Sequence, residues 1–340
     1  MILVTGGTGL IGSHLLYELM KTEQSVRAIY RDAKRIARVK MLFDYYSSPN
    51  IHSFNKIEWV KADVLDIVSL EDVLEGITHV YHCAALVSFA KKDFSRLIKI
   101  NREGTNNLLN ICLDKGIQKF GHISSTAAIG GQQHQLTTEA TKWKQSPRTS
   151  GYAISKYSSE KEVWRAVEEG MDVVILNPCV IIGAGDWNES SMTIFRTVQN
   201  GLKFHTPGQN ALVDARDVAT IFVRLMNSSV KNERFLCISE NVPFKNYLQQ
   251  IAERLSVKGP TINTPKWLMG VVWRIVGVVA WLRGKHPTIT KETAHSAFST
   301  MEYSNEKVSK LLDFQFIPVK DAIDNAVKAE EYFKSLKKGR

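Results

Sequence analysis

With 340 residues, 44% hydrophobic and 23% charged, the chain has the composition of an ordinary soluble protein with room for one to three domains. Its four cysteines (Cys83, Cys112, Cys179, Cys237) are scattered without a C-x-x-C pair, which argues against a disulfide framework or a zinc site and for reduced thiols in the cytoplasm; no metal is expected. The formal charge of +10 hints at acidic ligands or surfaces, but part of it is a solvated tail over residues 334–340 and no nucleic-acid motif accompanies it, so nucleic acid is not an expected partner.

No basic n-region or cleavage site opens the chain, so a secretory signal is not expected. Instead Ile2, Leu3 and Val4 read as a short buried strand, and Leu10, Leu15, Leu16 and Leu19 as the inward face of a helix. Between them stand Thr5, Gly6, Gly7, Thr8, Gly9, Leu10, Ile11 and Gly12, a G-x-x-G-x-x-G run that also contains G-x-G-x-x-G. Between a strand and a helix such a run is a phosphate cradle. Glycines allow the tight turn and the close approach of backbone, and the helix start offers N–H groups and a positive dipole end. Strand-like and helix-like runs then alternate to about residue 177, the pattern of a parallel sheet with crossover helices. The strands are SVRAIY (25–30), KIEWVK (56–61), THVYHC (78–83), the stretch 119–124 and DVVIL (172–176). The helices are a basic one over 31–44, a short one over 68–74, one over 100–112 and one starting near Tyr152.

Beyond Pro178 the order loosens, with a helix over 218–226, a late strand over 235–238 and a helix over 244–255. The expected fold class is α/β, a Rossmann doubly wound parallel sheet over residues 1–177 that later segments complete. A smaller, mostly helical substrate lobe over 178–340 is interleaved with it. One stretch, WLMGVVWRIVGVVAWL, is apolar for sixteen residues from Trp267 to its end at Leu282, with Arg274 at its centre. It is short of the roughly twenty residues that span a bilayer. It reads as a buried or pocket-covering helix, with peripheral membrane contact as the alternative, because Trp267, Trp273, Trp281, Arg283 and Lys285 suit an interface.

The strongest catalytic signal is Tyr152-Ala153-Ile154-Ser155-Lys156. At i and i+4 on a helix, Tyr152 and Lys156 share a face. A phenol with an ordinary pKa of about 10 is a poor base at neutral pH. A neighbouring ammonium and a positive nicotinamide would both lower that pKa. The pair could then exchange a proton with a substrate oxygen while hydride moves at the carbon.

These motifs together make the chain resemble the extended short-chain dehydrogenase/reductases, the superfamily of nucleotide-sugar epimerases and dehydratases, dihydroflavonol reductases and hydroxysteroid dehydrogenases. The resemblance is carried by residues 5–12, Asp63-Val64, Ala84-Ala85, Asn101 with Gly104-Thr105, Ser124-Ser125-Thr126, Tyr152 with Lys156, and Asn177-Pro178. It implies that Tyr152 is the acid/base and that Lys156 holds the nicotinamide ribose and tunes Tyr152. The hydroxyl that polarises the substrate oxygen would be Thr126, or else Ser125, although either could simply cap the strand end. Asn101 matches an asparagine that supports a proton-relay water, and helix capping explains it equally well. Asp63, with Val64, matches the residue that contacts the adenine amine, while a turn aspartate is the plain alternative. Ala84 and Ala85 would face the dinucleotide, and Pro178 and Cys179 would border the nicotinamide. Asn177 replaces a more usual arginine and carries no implied role. Members of the superfamily often pair through the helices around 95–113 and 152–168, which makes a homodimer one reading, and apolar stripes there serve a core equally well, so the oligomeric state stays open.

An acidic residue about 20 positions past the glycines would bind a ribose 2′-hydroxyl, whereas arginine accommodates a 2′-phosphate. The second strand ends in Tyr30-Arg31-Asp32 with Lys34 and Arg35 close by. Arg31 resembles the phosphate-binding arginine of dihydroflavonol-type reductases, so NADP(H) is favoured over NAD(H). The sugar dehydratases carry an Asp-Glu pair after the active-site Thr; here Ala127-Ala128 cannot move a proton. The expected activity is NADP(H)-dependent reduction of a carbonyl, or oxidation of an alcohol, on a lipophilic or aromatic small molecule. The stretch RGKHPTIT (283–290) resembles a segment of dihydroflavonol-reductase-like and sterol-dehydrogenase-like members. The alternatives are an NAD-dependent nucleotide-sugar epimerase, a hydroxysteroid dehydrogenase-like enzyme, and a non-catalytic dinucleotide sensor.

Overall fold

The computed structural model describes residues 1–22, 25–47, 51–131, 133–147, 149–282 and 290–338. Its centre is a parallel sheet of seven strands: β1 (Ile2–Thr5), β2 (Val26–Tyr30), β3 (Glu58–Lys61), β4 (His79–His82), β5 (Lys119–Ile123), β6 (Val173–Pro178) and β7 (Glu233–Cys237). They lie in the order β3-β2-β1-β4-β5-β6-β7. Ile2 registers with Val26 on one side and His79 on the other, so β1 has paired neighbours on both edges. β5 and β6 are buried along their whole length. Strands covered on both faces lose the polar alternation of a half-exposed sheet, and VVILNP is such a run. All strands are parallel, so their C-terminal ends form one rim, where open α/β sheets bind ligands.

Two apolar layers clamp the sheet. On one face the helix Leu10–Met20 packs with the helix Ala215–Met226 through Leu15, Leu16, Leu19 and Phe222. On the other, Leu108, Leu109 and Cys112 meet Val163 and Ala166. A third cluster, around Ile182, Trp187, Phe195 and Ile251, closes on the helix Val319–Lys338. Beyond Pro178 the chain therefore does two things: it returns β7 and Ala215–Met226 to the main sheet, and it builds a lobe. That lobe holds a small sheet of Val180–Ile182, Gln209–Asp214 and Glu240–Pro243.

Several expected elements change shape locally. The basic helix starts at Ile36, not Arg31, because the Asp32 carboxylate caps Lys34 N–H and holds Ala33–Arg35 in a 3₁₀ turn first. The expected helix over 100–112 is a π-helical segment, Ile98–Glu103, followed by an α-helix, Gly104–Asp114. The apolar stretch does form a helix, Lys266–Leu282. Its first turns are not buried, however: Trp267 is 72% exposed and Val271 45%. Periodicity finds such a helix but does not say whether another element covers it. Residues 283–289, and with them most of the RGKHPTIT stretch, lie outside the described residues. Among the described residues no helix is long and apolar enough to cross a membrane, and all four cysteines are free thiols.

Candidate active site

The glycine run turns at the end of β1 as its composition requires. Gly6 has φ +68°, and a Cβ there would stand 2.7 Å from the Ala84 amide nitrogen. A Cβ on Gly12 would lie 2.1 Å from the Gly6 carbonyl oxygen. Both clashes are with backbone, which no rotamer change relieves. Gly7 packs against Leu16 and Ala28. Gly9 caps the helix with no side-chain bond, and the first turn has no acidic residue, so Leu10 and Ile11 stand where first-turn N–H groups serve an anion, with Thr8 just ahead of the cap. This is a backbone cradle that fits a dinucleotide pyrophosphate.

The cradle is tied to the neighbouring strand. The Thr5 hydroxyl lies 2.7 Å from His82 Nδ1 and accepts from the Ala84 amide at 3.3 Å. His82 Nε2 reaches the Thr105 hydroxyl at 2.9 Å, and that hydroxyl donates to the Asn101 carbonyl at 2.6 Å and lies 2.9 Å from Ser159 Oγ. His82 and His122 stack with ring centroids 5.3 Å apart. Burial, and then the Lys156 charge, keep both imidazoles neutral, His82 falling to about 3. Ala84 is half-buried and Ala85 exposed immediately past β4.

Arg31 leaves the end of β2 60% exposed, with Nη1 3.9 Å from an Asp63 oxygen. The other Asp63 oxygen accepts from the Leu65 amide at 3.0 Å. Val64 is buried and nearly touches Gly104, where a Cβ would come within 2.6 Å of Val64 Cγ2. Asp32 is committed to its cap, and Arg35 is paired with Glu189.

The helix Gly151–Glu168 is capped by the Ser150 hydroxyl accepting from Ala153 N–H at 3.1 Å. It sets Tyr152, Lys156, Glu160 and Trp164 on one stripe at i, i+4, i+8 and i+12. Lys156 is 2% exposed and its Nζ donates to the Ile123 carbonyl at 2.8 Å. Burial lowers its ammonium to about 8, opposed by Glu160 and then Cys83. Desolvation raises the Tyr152 phenol, and the Ser125 hydroxyl is the group that opposes it. Lys156 reaches toward β5, and the Ser125 hydroxyl is the group that favours the ionised phenol. The Phe89 ring meets Tyr152 edge to face, centroids 5.5 Å apart.

Ser125 and Thr126 go separate ways. Ser125 is extended and its Oγ accepts from Ala127 N–H at 3.2 Å, opening the 3₁₀ turn Thr126–Ala128. Thr126 points instead at the Tyr303 phenol. The structure brings Ser125, rather than Thr126, to Tyr152. Asn101 sits in the π-helical segment, 1% exposed. Its Oδ1 accepts from Leu86 N–H at 2.7 Å, and its Nδ2 donates to Leu86 O at 3.0 Å and Ser155 Oγ at 2.9 Å. It therefore pins the loop after β4 to the Tyr152 helix, one of the functional uses to which π segments are put. Pro178 ends β6 buried, and Cys179 beside it hangs its thiol 3.7 Å from the Cys237 carbonyl.

The sequence reading missed the group beneath this stripe. Glu160, 2% exposed, accepts from Ser124 Oγ (2.7 Å), Asn177 Nδ2 (2.8 Å), Arg234 Nη1 (3.1 Å) and Trp164 Nε1 (3.3 Å). Asn177 Nδ2 also donates to the Ser125 carbonyl at 3.0 Å. Glu160 was visible as the next i+4 step after Lys156. Arg234, on β7, was not.

The chain is similar to known proteins in sequence and fold. The family described as "NAD dependent epimerase/dehydratase family" matches residues 2–237. Sterol demethylase protein B of Methylococcus capsulatus is 30% identical over 78% of this chain and 78% of its own. A putative dihydroflavonol 4-reductase of Synechocystis is 27% identical over 95% of this chain and 92% of its own. The crystal structure of gox2253 superposes with a TM-score of 0.79 at 24% identity, covering 98% of each chain. With the glycine cradle, the parallel sheet and the Tyr152–Lys156 stripe in place, the chain belongs to the NAD-dependent epimerase/dehydratase family and is an enzyme of the extended short-chain dehydrogenase/reductase type, which works with a nicotinamide dinucleotide.

Proposed function

We propose that this enzyme is an NADP(H)-dependent carbonyl reductase or alcohol dehydrogenase acting on a lipophilic or aromatic small molecule. The observation that carries the reading is the meeting of Ser125 and Tyr152 above the buried Lys156, on the same sheet rim as the glycine cradle. The cradle from Gly6 to Gly12 would hold the pyrophosphate, Lys156 the nicotinamide ribose, and Pro178 and Cys179 would border the ring. When bound, the dinucleotide supplies the hydride that the carbonyl carbon accepts. The Ser125 hydroxyl donates a hydrogen bond to the carbonyl oxygen, and Tyr152 gives that oxygen its phenolic proton, leaving an alcohol. In the absence of hydride transfer burial favours the protonated phenol, which suits a proton donor in the reductive direction.

The preference for NADP(H) rests on Arg31. It is well exposed beside the carboxylate of Asp63 and free to make charge-assisted contacts to a 2′-phosphate, while the nearest acid in sequence, Asp32, is occupied as a cap. For the substrate, Ala127 and the buried Ala128 offer no acid–base pair for elimination. Val87 and Phe89, 43% and 37% exposed on the loop beside Tyr152, offer apolar contact. Two of the relatives carry a sterol or dihydroflavonol name, the one a largely aliphatic ring system and the other an aromatic one.

Tyr152→Phe is expected to leave NADPH binding, followed by fluorescence quenching, nearly unchanged while abolishing the loss of absorbance at 340 nm with ketones and aldehydes. Unchanged turnover would sink the catalytic assignment. Arg31→Ala is expected to weaken NADPH by about 10–100-fold and leave NADH alone, the scale of one hydrogen-bonded charge. Tighter binding of NADH than NADPH by the wild-type enzyme would overturn the cofactor reading. Interconversion of nucleotide sugars without net consumption of NADPH would make the enzyme an epimerase instead.

A further inference from the structure

The lobe carries an apolar and cationic surface that the reaction does not use. In a two-stranded parallel pair, Phe204–His205 and Ile262–Asn263, Phe204 registers with Ile262. Register partners share a face, and these two are 45% and 47% exposed. Three residues past Asn263 the helix Lys266–Leu282 begins. Its Trp267, Val271 and Arg274, at i, i+4 and i+7, form an exposed stripe in which Trp267 is 72% and Val271 45% exposed. Three large apolar side chains thus stand open to solvent within a short span of chain, and Phe204 joins them across the strand pair, a concentration that marks an interaction surface.

The two stretches of chain that carry them hold charge of one sign, with Glu253 and Glu292 just outside. Residues 255–291 contain no Asp or Glu and six Lys or Arg: Lys258, Lys266, Arg274, Arg283, Lys285 and Lys291. Residues 190–213, which supply Phe204, likewise contain no acid but do contain Arg196 and Lys203. Lys203, Lys258, Lys266 and Arg274 are exposed, and among the described residues no carboxylate pairs with any of them. Arg274 lies over the Trp273 ring at 4.7 Å, which keeps its charge at the surface beside the indole. A protein partner of mixed charge would find no acidic residue within these two stretches to match its own cations. A negatively charged bilayer matches both properties at once: tryptophan and aliphatic side chains enter the headgroup boundary, and lysine and arginine meet anionic lipid. The apolar run from Trp267 to Leu282 is sixteen residues, under the roughly twenty that a span needs, and among the described residues no helix is long and apolar enough to cross a membrane, so the match is to a helix lying on the surface.

We propose that this face, formed by Phe204, Ile262, Trp267 and Val271 with Lys203, Lys258, Lys266 and Arg274, docks the enzyme on the surface of an anionic lipid bilayer. The proposal stands apart from the choice of cofactor and substrate, since no residue in it belongs to the cradle or to the Tyr152 stripe.

Flotation of the full chain with phosphatidylcholine vesicles, with and without phosphatidylserine, tests it. The wild-type enzyme is expected to float with the anionic vesicles, at least about fivefold more than with phosphatidylcholine alone, and to be released by high salt, because each cation near an anionic surface adds attraction that screening removes. The double variant W267S/V271S and the triple variant K258Q/K266Q/R274Q are each expected to lose most of that flotation. NADPH fluorescence quenching in each variant shows that the fold is intact, whatever the enzyme's substrate proves to be. Absence of wild-type flotation, equal flotation with both vesicles, or unchanged flotation of the two variants would overturn the proposal. So would a concentration-dependent dimer that W267S/V271S abolishes, which would give the face to a second copy of the chain.

Discussion

Glu160 shows how one buried carboxylate can govern a site it does not enter. Four donors converge on it, from the residue just past β5, from β6, from β7 and from its own helix. Its charge is also the largest influence opposing the burial that depresses Lys156. The other titratable groups facing Lys156 are Cys83, His82 and His122, all held neutral by burial. Glu160→Gln keeps the shape and removes the charge. Arg234, its side chain 22% exposed, then keeps a largely buried cation without an anion, and stability is expected to fall by about 2–3 kcal/mol, discounted for that exposure. Without Glu160 the Lys156 ammonium deprotonates at still lower pH, so the alkaline limb of kcat/KM moves to lower pH. A role confined to packing would lower the melting temperature and leave that limb in place. At this scale the sequence was uneven in what it disclosed. Tyr152, Lys156 and the glycines stand in contiguous motifs and were legible. The choice between Ser125 and Thr126 was not, because adjacent side chains diverge as the backbone turns from extended into 3₁₀. Nor was the Glu160–Arg234 pair, whose partners are 74 residues apart and meet only because β7 returns to the sheet.

At the scale of elements, the site is assembled by two irregular joints on a regular sheet. One is the glycine turn. Gly12→Ala would press a Cβ against the Gly6 carbonyl, so the loop must open, and dinucleotide affinity is expected to fall by at least about tenfold, since binding depends on close backbone approach. Fluorescence titration with NADPH measures this, and unchanged affinity would mean that the cradle is not the pyrophosphate site. The other joint is the π-helical segment Ile98–Glu103. Its extra width faces Asn101 inward, where one side chain makes three hydrogen bonds to Leu86 and Ser155. Asn101→Ala leaves the Leu86 amide and carbonyl without those partners, and a loss of about 2–3 kcal/mol is expected, read by denaturant unfolding and by faster exchange of the Leu86 amide proton. The apolar spacing in this region predicted a helix, and the region is helical. The π register was invisible because apolar spacing does not distinguish it from α, and the inward bond it gives Asn101 goes to Ser155, 54 residues away. The helix Lys266–Leu282 is the opposite case: its existence was plain from the run of apolar residues, but whether anything covers it is a property of the lobe and not of the run.

At the scale of the molecule, the sheet holds its imidazoles dry, and this sets how stability depends on pH. Burial lowers His14 to about 4, His82 to about 3 and His122 well below its ordinary value. His14 sits between the helices Leu10–Met20 and Ile36–Tyr46, its rings and bonds shared with Tyr46 and Leu10; the other two link the cradle to the Tyr152 helix. An unfolded chain takes up a proton on each near pH 6.5. The folded chain does not, so below that pH the unfolded state binds more protons and stability falls as pH falls. Asp217 acts in the other sense: burial raises its carboxyl to about 7, so between its ordinary value and 7 it binds a proton in the folded state and favours folding as pH falls. Three groups against one leave a net uptake of about two protons on unfolding near pH 5, a slope of roughly 2.7 kcal/mol per pH unit at its steepest from these four groups. Urea unfolding at pH 7 and pH 5 should therefore show a marked loss of stability on the acid side. His82→Gln, which can still bond Thr5 and Thr105 through its amide, should reduce the slope by about one proton without collapsing the cradle. Stability that is flat or rising from pH 7 to pH 5 would show that these imidazoles are not held neutral, and that water reaches the layer between the cradle and the Tyr152 helix.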